Sequence, residues 1–268
     1  MAQAAQSRSA ERVALVTGAS SGIGAATAVA LGRLGWPVAI GARRVERLEQ
    51  VARLVEEAGS RAFVHPLDVT APASIDDFFV AAEKELGTID VVVNNAGIGH
   101  PALLHEASVE DLRSELETNL LGPMLVARRA IPALLTLGRG DLVFISSLNT
   151  VLPRTYQSGY TASKMGLEGV VRTLQMELEG TGVRATTVRP GPTGTAFGDS
   201  WLGLLANKLL ASWRYWGVMR QIAWMPAESV ANAVVAVVTA PRGTHLDLVE
   251  VVPENPKREP SPEENPQR

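Results

Sequence analysis

The sequence has 268 residues, 46% of them hydrophobic, with 28 acidic against 25 basic side chains and a formal net charge of −3. That length suits one large α/β domain with a sizeable core, and no basic block offers the clustered Lys and Arg that bind nucleic-acid phosphates. With no cysteine, disulfides, thiolate catalysis and Cys-ligated zinc are excluded, and His65, His100, His105 and His245 lack the short paired spacing of a metal site.

The start, Met1 to Arg12, is rich in Ala, Gln and Ser and lacks the hydrophobic stretch of a signal peptide, and no run approaches about eighteen consecutive apolar residues. The expectation is a soluble, cytoplasmic protein without an integral membrane segment. Seven β-rich apolar runs follow: Arg12 to Thr17, Pro37 to Gly41, Ala62 to Pro66, Ile89 to Asn94, Asp141 to Ser146, Arg184 to Arg189 and His245 to Val251. Helical patterns separate them. The alternation predicts a Rossmann-type, doubly wound, seven-stranded parallel sheet with helices on both faces, in one α/β domain over residues 1–252. Ligands of such sheets lie outside the carboxyl ends of the strands, so the residues just after each strand are the candidate site.

After the first strand, Thr17-Gly18-Ala19-Ser20-Ser21-Gly22-Ile23-Gly24 opens a helix over Ala25 to Leu34. Glycines there allow a tight turn and close approach of backbone N–H groups to a pyrophosphate. Ala25-Ala26 follows Gly24 where a Walker-type loop has Lys-Ser/Thr, which rules that loop out. Ile40-Gly41-Ala42-Arg43-Arg44 ends the second strand, Leu67-Asp68-Val69 the third and Asn94-Asn95-Ala96-Gly97 the fourth. Further on, Thr118-Asn119-Leu120-Leu121-Gly122-Pro123 places a proline where its missing N–H leaves the Asn119 carbonyl without its helical partner. Ser146 and Ser147 close the fifth strand. A helix over about Tyr156 to Glu179 carries a stripe of Leu167, Val170, Val171, Leu174 and Leu178, with Gly166 and Gly169 allowing close approach of a neighbour. On it Tyr160 and Lys164, four apart, share a face. A phenol titrates at about 10, and a nearby cation favours its phenolate, which would make Tyr160 a usable acid and base. The sixth strand leads into Arg189-Pro190-Gly191-Pro192-Thr193-Gly194-Thr195. Residues 196–225 break the alternation and hold Trp201, Trp213, Tyr215, Trp216 and Trp224, with Ser200, Asn207 and Ser212 as small polar groups among the rings. They read as a substrate lid, an interface, or a membrane-surface contact with Lys208, Arg214 and Arg220 as a thin basic face. The tail, 253–268, is polar and reads as a mobile extension.

Together these motifs resemble the short-chain dehydrogenase/reductase family over nearly the whole chain: TGxxxGxG at Gly18, Gly22 and Gly24, NNAG at Asn94 to Gly97, YxxxK at Tyr160 and Lys164, and PGxxxT ending at Thr195. The extended branch of the family, with its TGxxGxxG loop, does not fit this glycine spacing. The resemblance implies a catalytic set of Asn119, Ser147, Tyr160 and Lys164, with Ser146 one residue out of register. Ser147 would hold the substrate oxygen, Tyr160 would exchange its proton, and the Asn119 carbonyl would hold a water relaying protons from Lys164. Cofactor contacts fall on Gly18, Ser20, Ser21, Gly22, Ile23, Gly24, Arg43, Asp68, Val69, Asn95, Ala96, Gly97, Tyr160, Lys164, Pro190, Gly191, Thr193 and Thr195. Asp68 would meet the adenine, Lys164 the nicotinamide ribose and Thr195 the pyrophosphate. NAD-specific members carry an acid at the end of the second strand; here the residue is Ala42, so NADP(H) is expected, with Arg43 on the 2′-phosphate and Arg44 a solvated helix start. The implied activity is hydride transfer between nicotinamide and a carbonyl or secondary alcohol of a small, apolar molecule, by a homodimer or homotetramer. A catalytically silent nucleotide-binding sensor or scaffold and a 3-oxoacyl thioester reductase are the alternatives.

Overall fold

A computed structural model describes residues 12–201, 204–218 and 223–254. Residues 1–11 and most of the predicted tail, 255–268, lie outside the described set, as do parts of the predicted lid. Among the described residues the order is β1 (Ala14–Thr17), α1 (Gly22–Gly32), β2 (Val38–Ala42), α2 (Val45–Glu57), β3 (Ala62–Pro66), α3 (Pro72–Leu86), β4 (Val91–Asn94), α4 (Val109–Leu116), α5 (Gly122–Leu137), β5 (Gly140–Ile145), α6 (Ser158–Glu177), β6 (Val183–Pro190), β7 (Thr193–Gly194), α7 (Leu204–Tyr215), β8 (Met225–Pro226), α8 (Ala227–Thr239) and β9 (Leu248–Val251).

Seven strands pair in parallel in the order β3-β2-β1-β4-β5-β6-β9. Because successive side chains on a strand point to opposite faces, an unbroken apolar strand feeds two cores. Leu15, Val92, Leu142 and Phe144 pack with Ile75, Phe78 and Phe79 of α3, Val126 and Leu134 of α5, and Leu167 and Val171 of α6. On the other face Val16, Val93, Val143 and Ile145 meet Leu31 of α1, Leu48 and Val55 of α2, and Val234 and Val238 of α8. The sheet is therefore covered twice, as the alternating pattern predicts. The run Val109–Leu137, comprising α4, α5 and the turn between them, is long and apolar enough to cross a membrane by length and composition. Its inward side chains Val126, Ala127, Ala130 and Leu134 belong to the first core.

Departures from the expected boundaries have local causes. β9 starts at Leu248 rather than His245 because Arg184 Nη1 donates to Thr244 O at 2.8 Å, and the His245 ring lies 3.0 Å from Ala185 O, drawing this stretch into a loop. Tyr156 takes φ +66°, a left-handed conformation that no helix interior tolerates, so α6 begins at Ser158. A Cβ at Gly166 would lie 3.0 Å from Leu120 Cδ2, whereas Gly169 faces open space, so only the first of the two predicted close approaches is made within the chain. The short ladder of β7 with β8 has no counterpart among the expected strands; it ties the loop after β6 to the start of α8.

Candidate active site

The strand order reverses between β1 and β4, and the crevice at such a switch point opens beyond their carboxyl ends. A cleft of about 1160 Å³ lies there. Thr17, the last residue of β1, ties its two rims together. Its Oγ1 accepts from the Asn95 and Ala96 N–H groups at 3.0 and 3.1 Å, while Asn95 Nδ2 donates to Thr17 O and Gly18 O at 3.0 and 3.1 Å. Gly18 and Gly22 have φ of +64° and +56°, which favour glycine. A Cβ on Gly18 would sit 2.7 Å from Ala96 Cα, and one on Gly24 would be 2.6 Å from Gly18 O. Gly22 abuts Thr195, with its missing Cβ 3.0 Å from Thr195 Cβ, so the loop after β6 closes against the glycine-rich turn. Ser21 makes no side-chain cap and no acid occupies the first turn of α1, which leaves a helix N-terminus suited to an anion. Ser20, Ile23, Arg43, Gly97, Pro190, Gly191 and Thr193 line the same cleft. Val69 does too, packed on Gly122 at the head of α5.

Asp68 is held by Thr70, whose N–H and hydroxyl donate to its Oδ1 at 3.0 and 2.8 Å. Burial pushes this carboxyl up, but those bonds and the charge of Arg43 bring it below its ordinary value. The surprise at the β2 tip is Arg44. Arg44 is exposed and caps the start of α2, as expected of a solvated helix start, yet its Nη2 also lies 3.3 Å from Ser20 Oγ and it lines the cleft, so it reaches the glycine-rich loop as well.

At the other end stand the four residues of the implied catalytic set. Asn119 is fully buried. Its Oδ1 accepts from Ile98 N–H at 2.8 Å, and its Nδ2 donates to Ile98 O at 2.8 Å and Ser163 Oγ at 3.1 Å. The side chain thus fixes the loop after β4 against α6. Around it, Glu117–Leu121 forms a π turn in which Gly122 N–H donates five residues back to Glu117 O; the widening falls where Pro123 withdraws its N–H. Ser147 and Tyr160 both line the cleft, whereas Ser146, buried beside Ser147, spends its hydroxyl on Glu168 Oε1 at 2.6 Å. Glu168 also accepts from Thr150 Oγ1 at 2.9 Å and from Arg189 at 3.0 and 2.7 Å. Burial raises the Glu168 carboxyl, and these donors outweigh it and hold it low. Both flanks of Ser147 are anchored by one ion pair.

Tyr160 and Lys164 depart from the electrostatic expectation. Burial raises the phenol above 10.0, opposed by the nearby Ser147 hydroxyl and the charge of Arg154, with Glu115 raising it further. Lys164 is buried, which lowers it to about 8; its Nζ donates to Ile145 O at 2.8 Å and stands 6.0 Å from the Tyr160 ring centroid. The cation bearing on the phenol in this structure is Arg154, which the sequence reading passed over because a lone Arg in a polar loop resembles solvated surface.

The tryptophans divide. Trp201 Nε1 donates to Gly99 O at 3.1 Å, and Phe197 lies between Trp201 and Tyr160, edge-on to the first and tilted to the second, with centroids 5.3 and 5.5 Å away. Trp213 is 7% exposed, with its Nε1 donating to Thr155 O at 3.0 Å. Ser212 bonds Thr155 Oγ1 at 2.7 Å. Trp224 lines the cleft although largely exposed. Tyr215 and Trp216, 82% and 64% exposed, pack on each other instead. The side chain of Ser200 and all of Arg220 lie outside the described set.

The sequence pattern of the family described as short chain dehydrogenase matches residues 12–202. Over 69% of this chain and 75% of its own length, the cis-4-hydroxycyclohexanecarboxylate dehydrogenase of Sinomonas cyclohexanicum is 39% identical. The glycine betaine reductase ATRR of Emericella nidulans is 32% identical over 93% of this chain, which spans only 19% of that larger protein. Among solved structures, the alcohol dehydrogenase of the archaeon Thermococcus sibiricus complexed with 5-hydroxy-NADP superposes with a TM-score of 0.75 at 33% identity, covering 92% of this chain and 99% of that one.

Proposed function

Since the chain belongs to the short-chain dehydrogenase family, we propose that it is an NADP(H)-dependent oxidoreductase acting on the carbonyl or alcohol carbon of a largely apolar small molecule. The observation that carries this reading is the convergence of Ser147, Tyr160 and Lys164 on one cleft with the glycine-rich cradle. When bound, the nicotinamide supplies or accepts the hydride. The chain's own residues do the rest. Gly18, Gly22 and the N-terminus of α1 receive the pyrophosphate, and Arg43 and Arg44 the 2′-phosphate; no carboxylate at Ala42 repels it. Support for NADP(H) also comes from the nucleotide in the Thermococcus sibiricus complex.

Ser147 Oγ orients the substrate oxygen, and Tyr160 donates its proton to that oxygen in reduction or removes it in oxidation. The raised phenol favours the protonated form that reduction uses. Lys164 exchanges protons with solvent through a water held by the backbone carbonyl of Asn119, which sits in the widened turn. Phe197, Trp201, Leu209 and Trp213 wall the substrate end of the cleft, so ligand carbon buried there gains about 25 cal/mol per Å² before ordering costs. The exposed apolar side chains Leu116, Leu121, Met124 and Met165, on the neighbouring α4, α5 and α6 region, support a homo-oligomer.

Purified protein with NADPH and a homologous ketone series tests the reading. Specificity constants rise with apolar size until the pocket fills, and Tyr160→Phe lowers turnover by about 100-fold to 10,000-fold while NADPH still binds. A Phe variant as active as the parent, or a preference for short polar substrates, contradicts it.

A further inference from the structure

The loop before α6 inserts a guanidinium into the substrate end of the cleft. Arg154 stands among Leu152, Leu209 and Trp213 there. It is held in place: Nη1 donates to Asn149 Oδ1 at 2.9 Å, and Cζ lies 5.2 Å over the Trp213 ring. Its Nε is buried with no hydrogen-bond partner. Arg12, Arg129, Arg139, Arg184 and Arg189 each meet a carboxylate; among the described residues Arg154 meets none within salt-bridge distance. Burial lowers its pKa, and the ionisable group facing it is the Tyr160 phenol. A half-buried cation without a counter-ion is costly to keep. This one sits fixed, with donors in excess of the acceptors the protein offers, beside the atoms placed to react.

We propose that Arg154 binds a carboxylate of the substrate, so that the molecule oxidised or reduced at Tyr160 is an apolar hydroxy or oxo acid. The proposal rests on the carbonyl/alcohol reading above and names its substrate class. A planar guanidinium matches the two oxygens of a carboxylate, and its single charge balances one carboxylate, whereas a phosphate monoester brings nearly two charges. The apolar body of the acid lies against Trp213 and Phe197 while its carbonyl or hydroxyl reaches Ser147 and Tyr160.

The test compares methyl ketones that end in a carboxylate with their methyl esters, over a graded series of chain lengths, in the wild type, Arg154→Met and Arg154→Lys. At the best length the wild type favours the acid, Arg154→Met lowers the acid-to-ester ratio of specificity constants by roughly 30-fold or more, and Arg154→Lys retains part of the preference. A ratio unmoved by Arg154→Met, or a wild type that favours the ester at every length, overturns the proposal. Calorimetric titration of the wild-type NADP⁺ complex with alkanoates and the matching alkanamides gives a second readout that needs neither turnover nor a folded variant. Alkanoates bind more tightly if the proposal holds, and equal affinities at every length overturn it. If alkanoates bind preferentially but no ketone is reduced, the carbonyl reading fails while the anion site stands; if ketones are reduced with no acid preference, the reverse is true.

Discussion

Lys164 is where stability and chemistry pull in opposite directions. Its ammonium is nearly sealed from solvent, donates to Ile145 O, and is lowered by burial from 10.5 to about 8. Between those two values the folded state binds fewer protons than the unfolded chain, so stability rises with pH across that window; below about 8 both states are charged and the full burial penalty persists. The shift corresponds to about 3 kcal/mol at most. Lys164→Met therefore unfolds at a higher urea concentration than the wild type at neutral pH, and the gap closes as pH rises from about 8 towards 10.5. A gap that is constant over that range, measured by urea melts at stepped pH, contradicts a burial penalty on the charged lysine. An active site that keeps such a cation accepts lower stability for function.

At the scale of elements, the tip of β2 is where the proposed choice of NADP(H) is tested. Ala42 ends the strand, and Arg43 and Arg44 follow at the mouth of the cleft. Ala42→Asp with Arg43→Ala raises the NADPH Michaelis constant far more than that of NADH, and adding Arg44→Ala raises it further; steady-state kinetics with both cofactors checks this, and an Arg44→Ala effect equal on the two would remove Arg44 from the 2′-phosphate site. What was legible in the sequence here was local. The glycines, Asn95 and the Tyr160–Lys164 pair are set by spacing along one turn or one helix face, and the seven strands by continuous apolar runs. The contact of Arg44 with Ser20 was not legible, because it depends on which way a long side chain turns across two loops. Arg154 was hidden for the same reason: only the packing of α7 places Trp213 beneath it. The aromatic segment after β6 was visible, but composition could not say that Trp201 and Trp213 turn inward while Tyr215 and Trp216 turn out. The π turn at Asn119 was half legible, since Pro123 announces a lost hydrogen bond but not how the helix reorganises around it.

For the whole molecule, strand order converts separate motifs into one site. β1 and β4 are neighbours although three helices and two strands lie between them in sequence, so Gly18 and Asn95 come into contact, while β5 and β6 bring Ser147 and Thr195 to the same edge. The fold alone fits an enzyme or a nucleotide sensor that has lost its chemistry, and cofactor binding does not separate them. Transfer of the reacting atom does. Protein incubated with NADPH deuterated at C4 and a panel of apolar ketones and oxo acids, followed by mass spectrometry of the alcohol product, tests the central claim most directly. The account predicts deuterium on the carbinol carbon of at least one product in the wild type and its loss in Tyr160→Phe; binding of NADPH with no label entering any carbonyl carbon would contradict it.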